Sequence, residues 1–184
     1  MIVATKELRP GESMSATNPN VKVHSPAGMV MFDTDFIDTI PWAEIPVFPG
    51  LKFKYVWVDL EKGLVASLLW IGKGITLPVH LHLGTSLLFC LKGRFTYQPA
   101  GSIGPGGFGY EPYGTIHEPD TSTEEETILW AVNSHNELLQ FYNDDGSFAG
   151  LQHLAGQLRM LRRDYGWDAV KHLNVPPEFW DQLD

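Results

Sequence analysis

Seven histidines are spread along the 184-residue chain, and three of them have the spacing of a metal site. His80 and His82 stand two apart in the stretch Pro78-Val79-His80-Leu81-His82. Side chains alternate faces along a strand, so these two imidazoles share a face and can grip one ion. His117 follows a turn punctuated by Pro112 and Gly114 and would carry in a third nitrogen. Three imidazoles hold a borderline transition metal and leave coordination positions open for reaction. Glu111, six residues ahead of His117, is the candidate acid or base beside such an ion, against the plainer reading of a salt-bridged glutamate at a strand end. His24, His135, His153 and His172 lack ligand spacing and read as structural or surface residues.

The elements that must position these groups follow from hydrophobic period. Residues 52–58 alternate with period two and 64–71 form an apolar run behind Gly63, so both read as strands. Further strands are expected at 79–83, 86–91, 94–98, 107–111, 127–133 and 137–142, separated by Gly- and Asn-rich turns. Many short strands with such turns make an all-β sandwich or barrel. Parity on strand 86–91 puts Leu88 and Cys90 on the face of Ser86, which makes them pocket candidates. Most of the aromatic residues, from Phe53 through Phe89, Phe108 and Tyr110 to Phe141, are expected in the core.

Residues 1–32 carry Pro10-Gly11 and Asn18-Pro19-Asn20 and read as an irregular arm. From Phe32 to Pro49, three prolines predict an extended lead-in in which Trp42 plugs one end of the core. Past residue 143 the period changes. Leu151, Leu154, Leu158, Leu161 and Tyr165 mark one helical face ended by Gly166, and short helical turns are expected at 168–173 and after Pro176-Pro177. The division is an arm and lead-in at 1–45, a β-barrel at 46–142 and a helical segment at 143–184.

Composition narrows the partners. The net charge is −9 and the longest basic cluster is Arg162-Arg163, which argues against a nucleic-acid backbone. The single cysteine, Cys90, lies in an apolar run and reads as a small buried hydrophobe in a reducing, cytoplasmic setting. No stretch approaches a membrane span, and the N-terminus lacks a basic-then-apolar signal pattern. Exposed aromatics and strand edges point to a homodimer or homotetramer.

The motif residues resemble the cupins. Their first motif, G-x5-H-x-H-x3-E-x6-G, is met by Gly74, His80, His82 and Gly93, and their second, G-x5-P-x-G-x2-H-x3-N, by Gly106, Pro112, Gly114 and His117. Two slots depart: Ser86 stands for the glutamate and Thr121 for the asparagine. The resemblance implies a single jelly-roll antiparallel barrel, with His80, His82 and His117 as metal ligands. A neutral serine leaves the ion its full charge, which favours anionic, bidentate substrates.

Within the cupins, Ile40-Pro41-Trp42, the glutamate-free first motif and the stretch 110–117 look like 2,4'-dihydroxyacetophenone dioxygenases and, more distantly, acetylacetone dioxygenases. That likeness implies non-haem Fe(II) on the three histidines, with zinc, nickel or manganese as substitutes in purified protein. It also implies O2 and a small anionic or enolisable carbonyl substrate, cleaved at a carbon–carbon bond next to the carbonyl. Two alternatives stand beside it: an isomerase or hydrolase using zinc or manganese as a Lewis acid, and a non-enzymatic metal-binding cupin sensor.

Overall fold

Alternating burial along the strands organises the architecture. The structure, a computed structural model, describes residues 14–15, 22–23, 31–45, 48–98 and 100–182. Residues 1–39 and 40–184 form two compact units. In the first, β1 (Met14–Ser15) pairs antiparallel with β2 (Lys22–Val23), followed by helix α1 (Thr34–Thr39). Helix α1 stands where an extended lead-in was expected, and most of the expected irregular arm lies outside the described residues. The signal for α1 lay in Asp33, whose carboxylate accepts from the Phe36 amide at 2.9 Å and so caps the first turn. His24 lies outside the described residues.

The second unit runs β3 (Ala43–Glu44), β4 (Leu51–Asp59), β5 (Leu64–Ile71), β6 (His80–His82), β7 (Ser86–Lys92), β8 (Phe95–Tyr97), β9 (Gly101–Ile103), β10 (Phe108–Glu111), β11 (Ile116–His117), β12 (Asp120–Thr121), β13 (Thr127–Asn133), β14 (Leu139–Tyr142) and β15 (Phe148–Gln152), then α2 (Leu154–Tyr165) and α3 (Pro177–Asp181). Three sheets result, in the orders β10-β7-β13-β5-β4-β3, β11-β6-β14-β15 and β12-β8-β9. Every strand pair is antiparallel. The sheets continue past both ends of the 46–142 span, through β3 and β15. Leu151 accordingly belongs to a strand, and the helix begins three residues later.

The core has two lobes. Phe53, Tyr55, Val58 and Val65 pack with Leu154, Leu158 and Leu161 of α2 and with Val170, Leu173 and Trp180 beyond it. Ile71, Leu88, Cys90, Phe95, Leu129 and Ala131 form the other lobe, and Leu51 and Leu69 touch both. Helix α2 is capped by the His153 ring, which accepts from the Gly156 amide at 3.1 Å, and ends at Gly166. A 3-10 turn at Trp167–Ala169 takes the place of the short helix expected at 168–173. Pro177 opens α3 at its first position, where a missing amide hydrogen is no loss.

Two expectations about aromatics are corrected. Trp42 is only partly buried and lies under the Lys54 ammonium at 4.6 Å, rather than plugging the core. Phe89, Phe108 and Tyr110 are 42%, 53% and 60% exposed, because they occupy the outward parity of β7 and β10. Period two sends every second residue outward whatever its polarity.

Candidate metal centre

Strand β6 is a three-residue element, His80-Leu81-His82, with both histidines buried and Leu81 turned the other way. It is held between β11 and β14, so that His117 falls opposite His80 in one ladder and Phe141 opposite His80 in the other. The turn ahead of His117 fixes this register. Gly114 takes φ 86°, a left-handed conformation that other residues resist, and its amide donates to the His82 carbonyl at 2.9 Å. The His82 amide returns a bond to Thr115 O at 2.9 Å.

The three rings converge on their Nε2 atoms. His117 Nε2 lies 2.8 Å from His80 Nε2 and 3.0 Å from His82 Nε2. The His80 Nδ1 is 2.8 Å from the Pro78 carbonyl, a partner that can only accept, so the proton sits on Nδ1 and Nε2 presents its lone pair. Burial and mutual repulsion hold His82 and His117 down to about 3, and burial lowers His80, so all three are neutral at pH 7. Neutral nitrogens pointing at one another leave lone pairs unshared. A divalent cation would accept them, and the donor set fits a borderline transition metal.

Glu111 ends β10 and is 5% exposed. Its Oε2 is 3.4 Å from His82 Nε2 and its Oε1 is 3.9 Å from His117 Nδ1. It therefore borders the cluster without joining the three donors that lie within 4.8 Å of one another. The Tyr97 hydroxyl donates to Oε1, and the Tyr97 ring stacks on His117 at 4.9 Å. Burial pushes the Glu111 carboxyl up to about 7, against the lowering pull of the Tyr97 hydroxyl. Oε2 has no hydrogen-bond partner among the described residues.

These groups line a cavity of about 90 Å³ with Phe48, Leu77, Leu88, Phe95 and Phe141. Leu88 faces it as parity required. Cys90 does not, and its thiol turns to the Lys92 carbonyl at 3.3 Å. Ser86 is buried beside Glu111 in the β7–β10 register and donates to Asn133 Oδ1 at 2.6 Å. Thr121, in the other altered slot, is a structural tie: its hydroxyl receives the Ile75 amide at 2.9 Å and donates to Gly72 O at 3.0 Å. His135 is exposed and His172 bonds the Tyr55 carbonyl at 3.0 Å, so both stand apart from the cluster.

Sequence reasoning missed Asn133, Glu137 and the tyrosines that serve the carboxylates. Asn133 was within reach, since it continues the inward parity of Leu129 and Ala131. Glu137 was not. It was expected in a strand, but β14 begins at Leu139, and His135, Asn136 and Glu137 take φ of 54°, 56° and 51°. That left-handed turn aims the carboxylate inward, where it accepts from the Tyr55 hydroxyl and from Asn133 Nδ2.

With the geometry in place, kinship becomes informative. The sequence profile described as the ChrR cupin-like domain matches residues 30–137. The chain belongs to this cupin-like family. Among solved structures it is similar to an RmlC-like cupin from Ralstonia eutropha JMP134, at 22% identity and TM-score 0.60, over 65% of this chain and 78% of that one. A second Ralstonia eutropha JMP134 protein of cupin-like fold gives 25% identity and TM-score 0.56, over 63% and 75%. An acetylacetone dioxygenase from Acinetobacter johnsonii gives 19% identity and TM-score 0.57, over 79% and 95%. At these identities the likeness establishes the cupin fold. No curated protein matches the chain. Among the described residues no helix is long and apolar enough to cross a membrane.

Proposed function

We propose that this cupin is a non-haem Fe(II)-dependent dioxygenase that cleaves a carbon–carbon bond next to the carbonyl of an enolisable ketone, of the β-diketone or hydroxyacetophenone type. The observation that carries the reading is the three-histidine cluster bordered by Glu111 Oε2 inside a largely apolar cavity. Its substrate class accords with the acetylacetone dioxygenase whose fold the chain shares.

Bound Fe(II) would supply a Lewis-acidic centre, retaining its full positive charge, for a chelating enolate and for oxygen chemistry. The chain's own residues do the rest. His80, His82 and His117 would hold the ion through Nε2. Glu111 Oε2, beside His82 and without a hydrogen-bond partner among the described residues, is placed to take the proton that an enolisable ketone must lose on binding. Tyr97 holds the other carboxyl oxygen and so fixes which one faces the cavity. Phe48, Leu77, Leu88, Phe95 and Phe141 keep water away from the resulting carbanion.

Anaerobic loading with Fe(II), followed by oxygen-electrode screening of acetylacetone, longer β-diketones and hydroxyacetophenones, tests the reading. The expected result is oxygen uptake matched mole for mole by substrate loss, with the two oxygen atoms recovered in the two carbonyl-containing fragments. Oxygen-independent turnover supported by zinc or manganese would move the protein to the isomerases or hydrolases. Ligand binding without any turnover would make it a metal-dependent binding domain.

A further inference from the structure

The proposed reaction leaves one buried carboxylate without a task. Glu137 is 8% exposed and lines the same cavity as the histidines. It is delivered there by three consecutive non-glycine residues in the left-handed region, a run that L-residues adopt only when their surroundings enforce it. The enforcement is visible: the Ser134 amide donates to Thr85 O at 2.9 Å, and the Asn136 amide to Gly63 O at 3.0 Å. Opposite the turn, a Cβ on Gly84 would stand 2.4 Å from the Ser134 carbonyl oxygen, so the backbones are in close contact.

Hydrogen bonds run from this turn back towards the histidines in one direction. Tyr55 donates its hydroxyl hydrogen to Glu137 Oε2. Asn133 Nδ2 donates to Glu137 Oε1 at 3.0 Å, which leaves Asn133 Oδ1 to accept from Ser86 at 2.6 Å. Ser86 is the register partner of both Asn133 and Glu111. A carboxylate can only accept, so Glu137 decides which end of the Asn133 amide faces it. One Nδ2 hydrogen is used there and the second is left over, on a side chain that lines the cavity from the sheet opposite the histidines.

We propose that Glu137 is a positioning residue that fixes the Asn133 amide so that its second N–H is offered to an oxygen of the bound substrate. The inference deepens the enolate reading of the cavity and rests on it. The ligand class it implies is a carbonyl or enolate compound whose ion-bound oxygen keeps a lone pair for this N–H. In Glu137→Leu the Asn133 Nδ2 loses its acceptor, so that end of the amide is no longer held and its second N–H is no longer aimed at the substrate oxygen.

Zinc-loaded protein, inert towards oxygen, gives a readout separate from turnover: the affinity for acetylacetone by calorimetry, with zinc content and Tm measured alongside. Glu137→Leu and Asn133→Ala should each weaken the probe about tenfold, the scale of one hydrogen bond to a charged ligand, at unchanged zinc content. The double variant should be no weaker than the worse single variant, because both changes remove the same contact. Unchanged affinity in either single variant overturns the proposal, as do losses that add in the double. If Glu137→Leu does not fold, an undiminished affinity in Asn133→Ala is enough to overturn it. Failure of the dioxygenase reading would look different, as probe binding to the wild type with no oxygen uptake after iron loading.

Discussion

His117 and His80 face each other across the β11–β6 ladder, and their Nε2 atoms are 2.8 Å apart. The pairing makes the third nitrogen a matter of strand register, so losing either ring should abolish metal binding while leaving the sheet intact. His117→Ala and His80→Ala are each expected to lower metal affinity by more than ~100-fold, beyond the loss seen when only a ligand's outer hydrogen bond is removed. Metal content after gel filtration, read beside a far-UV spectrum, checks this; full occupancy in either variant would remove these histidines from the ligand set.

Glu111→Gln keeps the shape of the side chain and its Tyr97 contact but not its capacity to take a proton. The expected outcome is unchanged metal content and a turnover lower by about 10²- to 10⁴-fold, the usual size of a lost acid–base group. Loss of the metal instead would show that the carboxylate supports the ion directly, and wild-type turnover would return Glu111 to a structural part.

The second carboxylate gives a pH signature in metal-free protein. Burial raises Glu137 from 4.5 to about 7, with the Tyr55 hydrogen bond pulling the other way. Between those values the folded chain binds more protons than the unfolded chain, so this group's share of stability is full below about 4.5 and declines as pH rises to about 7. The whole span is on the order of 3 kcal/mol. Glu111 is shifted in the same direction, so the wild-type Tm should fall over this window and Glu137→Gln should flatten the fall in part. An identical slope in the two proteins would disprove the assignment.

What was legible in the sequence was whatever depends on period and spacing. The 64–71 and 127–133 strands emerge with the expected bounds because apolar alternation reports burial directly. The histidine cluster emerges because its turn needs Gly114 where it stands. The polar row on the opposite sheet was illegible for a physical reason. Glu137 reaches the cavity through a backbone conformation set by Gly63, Thr85 and Ser134, residues far apart in sequence, and nothing in Ser134-His135-Asn136-Glu137 announces it. Helix α1 escaped because flanking prolines outweighed the capping signal of Asp33.

Gly93 closes the first motif and is held there by its neighbours as well as by its φ of 73°. A Cβ would stand 2.5 Å from Glu126 O and 2.9 Å from Thr127 Cα, both backbone atoms that cannot swing aside. Gly106 has a similar φ of 80° but open space around it. Gly93→Ala should therefore cost about 2 to 3 kcal/mol, and Gly106→Ala about 1, by thermal or denaturant unfolding. Equal losses would mean that backbone angle alone sets the requirement.

The three histidines all belong to the four-stranded sheet, whereas Ser86, Glu111 and Asn133 lie on adjacent strands of the six-stranded one. A glutamate in place of Ser86 could fasten an ion to both walls at once; with serine there, the ion is tied to one. Metal retention and ligand choice thereby become separately heritable, since the wall that meets the organic molecule can be rewritten without loosening the nitrogens. Laboratory selection for new substrates should collect its substitutions on β7, β10 and β13 and pass over β6 and β11.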